Sequence, residues 1–150
     1  MLPAEPEARA LFESLHRNIY RAFDYRDEGQ VYDALARSLA PELIDPVYGE
    51  VYRSLRMQLE QDEVAACQIR AVRILEGTVE LPPSPAEPAY DVVARWEVIG
   101  TVRHWGHGHW RTNRYSARYR VRWAPTDGWR IGAVEILGQE RVDDGRESAL

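Results

Sequence analysis

Two patterns of hydrophobic residues divide the chain. Over the first sixty positions apolar residues recur every three or four positions, which is typical of amphipathic helices. The spacing predicts a first helix from Pro6 to about Arg26 and a second helix that follows a capping box at Asp27 and ends before Pro41. A third helix is predicted to open at Asp45-Pro46, a cap followed by a first-turn proline.

From Val64 onward apolar and polar residues alternate, as they do in half-buried strands. Prolines at 82, 83, 85 and 88 predict a loop between the first two strands. We expect one α+β domain over 1–141, with three N-terminal helices packed on a curved, mainly antiparallel sheet around an internal pocket, and a flexible polar tail over 142–150. The predicted strands cover about 64–76, 90–104, 109–123 and 129–141.

The alternation also assigns side chains to the two faces of the sheet, because successive residues of a strand point to opposite sides. On the third strand Tyr115 and Tyr119 share the inner face with Arg111 and Asn113, and Trp96 faces the same way on the second strand. The fourth strand is predicted to turn its odd-numbered positions inward. They are Trp129, Ile131, Ala133, Glu135 and Leu137.

Two registers are possible for the central hairpin, which the second and third strands form. Pairing His104 with His107 places Glu97 opposite Arg114 and Asp91 opposite Arg120, which is favourable across strands, but it puts Trp105 in a two-residue turn. A longer glycine-containing loop pairs His104 with His109 instead. Both registers keep the same residues on the same face.

Composition narrows the classes of function. All 19 basic residues are arginine, so chemistry that depends on lysine is excluded, and the single Cys67 excludes an intrachain disulfide. The net charge of −5 is divided: residues 1–63 carry 13 acids and 7 arginines, whereas residues 95–130 carry 8 arginines and 2 acids. We expect no nucleic-acid partner and no membrane insertion of this chain, and a cytoplasmic protein unless the sequence is a domain of a longer exported or membrane-anchored protein.

The order of elements, three helices followed by a bent antiparallel sheet that ends in a Gly128-Trp129 hairpin, resembles the nuclear transport factor 2-like superfamily, a cystatin-like α+β cone. The resemblance covers about residues 6–141 and rests on element order. This chain departs from the commonest layout because no strand is evident between the second and third helices. The resemblance implies a cone with a pocket between helices and sheet, in a superfamily that includes isomerases, dehydratases, hydrolases and non-catalytic binding domains.

The stretch from His104 to Tyr115 holds three of the four histidines. His104, His107 and His109 share one face around the turn, and three imidazoles with water form a known zinc site. No acid lies nearby in sequence, however, and Arg111 would repel a cation. An anion fits this charge better, with His104, His109, Arg111 and Asn113 as donors. A polar sheet rim without a ligand is the third interpretation.

The inner-face carboxyl of Glu135 is the candidate for proton transfer, since desolvation among aromatic rings raises the pKa of a carboxyl. In an isomerase, dehydratase or hydrolase, Tyr20 or His16 from the first helix would polarise the substrate. The alternatives for Glu135 are a structural acid or, if the strand contains a one-residue bulge, an outward-facing side chain. For His16 the alternative is a hydrogen-bonding residue at the core edge.

The sequence pattern predicts a pocket and a polar rim of the sheet, but no group of residues that together form a known catalytic site. The leading hypothesis is therefore a non-catalytic accessory domain, with no cofactor, that binds a small anionic or apolar ligand or a protein partner and forms a homodimer. Arginines with Trp105 and Trp110 on the outer sheet face indicate a solvated or self-associating surface. The predicted ligand contacts are His16, Tyr20, Trp96, His104, His109, Arg111, Asn113, Tyr115 and Tyr119.

Overall fold

A computed structural model of the chain describes residues 2–61, 66–81, 88–104, 107–142 and 147–148, with side chains described outside 53–61, 66–68, 102–104, 107–109 and 147–148. Three α-helices come first and an antiparallel sheet follows, so the predicted α+β class is confirmed. The helices are α1 (Glu5–Arg21, extended by a 3₁₀ turn over Ala22–Asp24), α2 (Glu28–Leu35) and α3 (Pro41–Gln61). The strands are β1 (Ala66–Glu80), β2 (Ala89–His104), β3 (His107–Ala124), β4 (Gly128–Arg141) and the two-residue β5 (Glu147–Ser148).

The helices follow the predicted apolar stripes, but two of their boundaries differ. Asp27 is the N-cap residue of α2 without a side-chain capping hydrogen bond. The third helix begins at Pro41, so Pro46 lies inside it rather than at its start. Pro46 is the sixth residue of this helix, and because proline has no amide hydrogen the helix lacks one i to i−4 hydrogen bond at that point.

The four long strands form a curved, unclosed sheet in the order β1-β2-β3-β4. Of the two possible registers of the central hairpin, the one that pairs His104 with His107 is found, with Glu97 opposite Arg114 and Asp91 opposite Arg120. Both charge pairs form hydrogen-bonded ion pairs. In the observed register of β2 and β3, opposite charges thus lie directly across the two strands from each other.

The inner face of the sheet packs on α1 and α2 to form the core. Phe12, Leu35, Val92 and Ile131 are fully buried there. The hydroxyl of Tyr90, also buried, donates to the carbonyl oxygen of Ala8 at 2.8 Å and so ties β2 to the first helix.

The outer face is covered by paired charges. Glu97, only 5% exposed, accepts hydrogen bonds from Arg114 of β3 at 2.8 Å and Arg73 of β1 at 2.6 Å. Arg114 first, and Arg73 second, lowers the pKa of this carboxyl below its usual value. Arg118 pairs with Glu80 and Asp91 in the same way. Of the arginines predicted to point outward, Arg114, Arg118 and Arg120 therefore bridge neighbouring strands, whereas Arg122 binds Glu42 of α3 and Arg130 donates to the carbonyl oxygen of Ala36.

A β-bulge at Gly132 changes the facing of β4. Ile131 pairs with Val121 and Ala133 with Arg120, which leaves Gly132 without a partner in β3. The extra residue moves the next side chains to the opposite face, until a second bulge at Leu137, between the paired Ile136 and Gly138, restores the original alternation. Val134 and Ile136 therefore face the helices, and Glu135 pairs across the strands with the outward Arg118.

The chain after β4 is partly ordered. The amide of Val142 donates to Thr112, and Glu147–Ser148 pair with Gly108 and His109 of β3. These residues have backbone partners in β3, and the flexible tail over 142–150 stays a prediction. No helix among the described residues is long and apolar enough to cross a membrane.

Gly132 also makes room for an ion pair, and its replacement by alanine tests this. An added Cβ would lie 2.6 Å from Nε of Arg122, which binds Glu42 at the start of α3. Because Arg122 would have to move away, we expect Gly132→Ala to lower the free energy of unfolding by about 1 kcal/mol in urea denaturation. In an Arg122→Ala background the same change should be nearly neutral; an equal loss in both backgrounds would refute this packing.

Candidate ligand-binding site

A cavity of about 450 Å³ lies between α1, α3 and the inner face of the sheet. Trp96, Tyr115 and Tyr119 form its floor on β2 and β3. Aliphatic side chains of α3, β2 and β4 form the walls, among them Leu43, Val47, Val51, Val98, Val134 and Ile136.

The floor is a set of mutually packed rings. Trp96 stacks on Tyr115 with ring centroids 5.5 Å apart and contacts Tyr119 at 5.6 Å. Its indole Nε1–H donates to the Tyr20 hydroxyl of α1 at 3.0 Å. Aromatic rings with few torsions, fixed by stacking and a hydrogen bond, form a preorganised apolar surface.

The phenols at this floor are held neutral. Burial raises the pKa of Tyr20 well above its usual value, and burial also raises the pKa of Tyr119, with the nearby Tyr20 as a further cause. Neither group is therefore a base near neutral pH. The Tyr20 oxygen accepts a hydrogen bond from Trp96, and the Tyr20 hydroxyl can still donate a hydrogen bond to a bound molecule.

The cavity opens to solvent on the side of β4, where Ile136 is 52% exposed. Three polar side chains line it there or nearby: Asn113 of β3, Gln139 of β4 and Glu50 of α3. A mostly apolar space with a few polar groups at one side is typical of ligand pockets.

The prediction that Glu135 faces inward is wrong. Glu135 is exposed and pairs with the outward Arg118 across the strands. The cause is the bulge at Gly132, which exchanges the faces of the residues between it and the second bulge at Leu137. The enzyme hypothesis loses its proton carrier, since Glu135 lies across the sheet from the cavity.

His16 is brought close to the site but does not line it. It is 1% exposed and lies behind the floor, with its ring centroid 4.7 Å from Trp96 and 5.6 Å from Tyr119. Neither Nδ1 nor Nε2 has a hydrogen-bond partner, and burial lowers the pKa of His16 to about 3. The predicted ligand contact is therefore a neutral core histidine.

The backbone register places His104 opposite His107 and His109 opposite Val102. The side chains of the three histidines lie outside the described part of the chain, so the metal site and the histidine part of the anion site stay predictions. Arg111 and Asn113 are described. Asn113 lines the cavity, whereas Arg111 lies one inward position beyond it along β3.

Sequence reasoning missed part of this site. Val47 and Val51 were visible as an apolar helical stripe, which predicts core contacts equally well. Val134 and Ile136 were assigned to the outer face because the alternation of β4 contains no sign of the bulge beyond a glycine at 132. A glycine within a strand is the only available signal for such a bulge.

The fold is similar to a solved structure, the intermembrane-space region of the chloroplast protein ARC6. The TM-score is 0.53 at 15% sequence identity, and the match covers 91% of this chain and 98% of that one. At this identity the likeness shows the fold alone. No family model and no curated protein matches the chain. The resemblance to the nuclear transport factor 2-like superfamily, the homodimer and the cellular compartment stay predictions.

Replacement of His16 by phenylalanine tests the buried neutral ring. In the unfolded chain the imidazole takes up a proton below its ordinary pKa of 6.5, whereas in the fold it stays neutral down to about pH 3. Acidification therefore favours unfolding between these two values, and this contribution lowers the free energy of unfolding by about 2 kcal/mol from pH 7 to pH 5.

His16→Phe should remove this loss, as measured by urea denaturation at both pH values. The other three histidines are present in both proteins, so their titration cancels in the comparison. An equal dependence on pH in wild type and variant would contradict a neutral, buried His16.

Proposed function

We propose that the protein is a non-catalytic binding domain whose cavity holds an apolar molecule, or the apolar part of a larger one. The observation that carries the proposal is the lining of the cavity: an aromatic floor of Trp96, Tyr115 and Tyr119 faces aliphatic walls. Its volume of about 450 Å³ suits a small molecule.

Burial of apolar surface supplies the affinity. Removing apolar area from water is worth about 25 cal/mol per Å², so a ligand that loses roughly 200 Å² would gain about 5 kcal/mol. The rings are already fixed by their own contacts, which lowers the entropic cost of binding. Tyr20, Asn113 and Gln139 supply hydrogen bonds that orient the ligand.

The arrangement of ionisable groups favours binding over catalysis. Tyr20 and Tyr119 are neutral phenols, His16 lies behind the floor, and Glu135 lies on the outer face. Glu50 is the carboxylate found in the cavity lining among the described residues, and it is exposed at the rim. General acid–base catalysis needs a group whose protonation is tuned close to the reacting atom, and no described group of the cavity combines these two properties.

A protein partner that inserts an apolar side chain would use the same surface. The exposed Ile136 at the opening would be the first contact of such a segment. Binding of a small molecule in the absence of any protein partner distinguishes the two versions of the proposal. We favour the small-molecule version because the cavity has both a floor and walls.

Filling the cavity tests the proposal. Val134→Trp introduces a large ring among the walls, whereas Glu135→Trp introduces the same residue one position later on the outer face. We expect Val134→Trp to weaken binding of the apolar fluorescent probe N-phenyl-1-naphthylamine more than tenfold, because the space it needs is occupied.

The Glu135→Trp protein should bind the probe as wild type does, and both variants should keep the cooperative urea transition of a folded protein. Absence of probe binding to wild type, or an equal affinity of Val134→Trp and wild type, would refute the proposed cavity ligand.

A further inference from the structure

Arg111, one inward position beyond Asn113 along β3, carries a buried nitrogen without a hydrogen-bond partner. Its Nε has no hydrogen-bond partner, although the residue as a whole is only partly buried. A buried donor that lacks an acceptor costs about as much as a lost hydrogen bond, and more on a charged group. A bound anion would relieve this cost.

Arg111 also differs from the other described arginines of β3. Arg114, Arg118 and Arg122 form ion pairs with acids of β2, β1 and α3, respectively. Arg111 faces inward, and its cross-strand neighbour on β2 is Gly100, which has no side chain to offer. Arg111 therefore lies on the inner face of the sheet, and no acidic side chain lies opposite it on β2.

The same rung of the sheet leads from Arg111 into the cavity. Gly100 pairs with Arg111 on one side and with Ile69 of β1 on the other, and Ile69 lines the cavity. No side chain of β2 stands between Ile69 and Arg111. Along β3, Asn113 lines the cavity two positions away, a distance of about 7 Å.

We infer that the ligand is an amphipathic anion. Its carboxylate or phosphate binds Arg111 and Asn113, and its apolar part lies on the aromatic floor. The inference rests on the proposed function, because the cavity must hold the apolar part. The fork formed by Nε and an Nη of Arg111 fits two oxygens of such a head group, and the amide of Asn113 adds a third donor.

The one carboxylate of the described cavity lining does not oppose this assignment. Glu50 projects from α3 and already has a partner within the protein. The head group would therefore meet a guanidinium and an amide on the strand side.

A series of head groups on one chain tests the inference with the wild-type protein. Decanoate, decanol and decylamine are titrated calorimetrically at pH 7.5, each below the concentration at which it forms micelles or separates from solution. A hydrogen bond to a charged group is worth enough to favour decanoate over decanol by about 10- to 100-fold, and decylamine should bind least.

A matched pair of variants assigns the preference to Arg111. Arg111→Gln should weaken decanoate binding by the same 10- to 100-fold and so abolish the preference, whereas decanol, which lacks the charge, should lose far less affinity. Arg118→Gln makes the same substitution on the outer face of the same strand, and it should keep the preference.

The outcomes separate the two levels of the account. Equal binding of decanoate and decanol, or a preference that survives in Arg111→Gln, overturns the anion site while the apolar cavity stands. Absence of binding by all three compounds overturns both. If Arg111→Gln does not fold, the wild-type series alone decides, because a decanol affinity equal to that of decanoate is sufficient to reject the anion site.

Discussion

The β-bulge at Gly132 is the constraint on which the cavity depends. Without the extra residue, β4 would turn Glu135 toward the helices and Val134 and Ile136 toward solvent. With it, two aliphatic side chains line the cavity on the side of β4, and Glu135 lies opposite Arg118 on the charged face. A single glycine thus decides whether the inner face carries a carboxylate or an apolar wall. The same position lets Arg122 pass and reach Glu42.

The two faces of the sheet differ in chemistry because the outer face carries paired charges and the inner face packs against the helices. Within the described part of the chain no helix or strand covers the centre of the outer face, and long arginine side chains bridge acids of neighbouring strands there, as around Glu97. Their aliphatic stems cover the sheet while their charges stay paired. The inner face is filled by α1 and α2 at one end. At the other end α3 supplies Leu43, Val47 and Val51, which leave a space above the aromatic floor.

Much of the fold could be predicted from the sequence because its signals are local. Alternation located the four long strands, and the charges of Glu97 and Arg114 favoured the register that is found. The site was predictable only where parity is uninterrupted: Trp96, Asn113, Tyr115 and Tyr119 line the cavity as expected. Between Gly132 and the second bulge at Leu137 the alternation predicts the wrong face, because a bulge depends on a pairing partner that the strand's own sequence does not contain. The burial of His16 depends in the same way on Trp96 and Tyr119, which are distant in the chain.

The resonance of the Trp96 indole Nε1–H is the most direct test of the apolar cavity. This group lies in the floor and donates to Tyr20, whereas Trp110 and Trp123 are exposed elsewhere on the sheet. In a ¹H–¹⁵N spectrum titrated with decanol, and assigned with a Trp96→Phe variant, the Trp96 signal should shift in a saturable manner while those of Trp110 and Trp123 stay in place. A Trp96 signal that does not move at saturating decanol, or shifts confined to the exposed tryptophans, would contradict a ligand in this cavity.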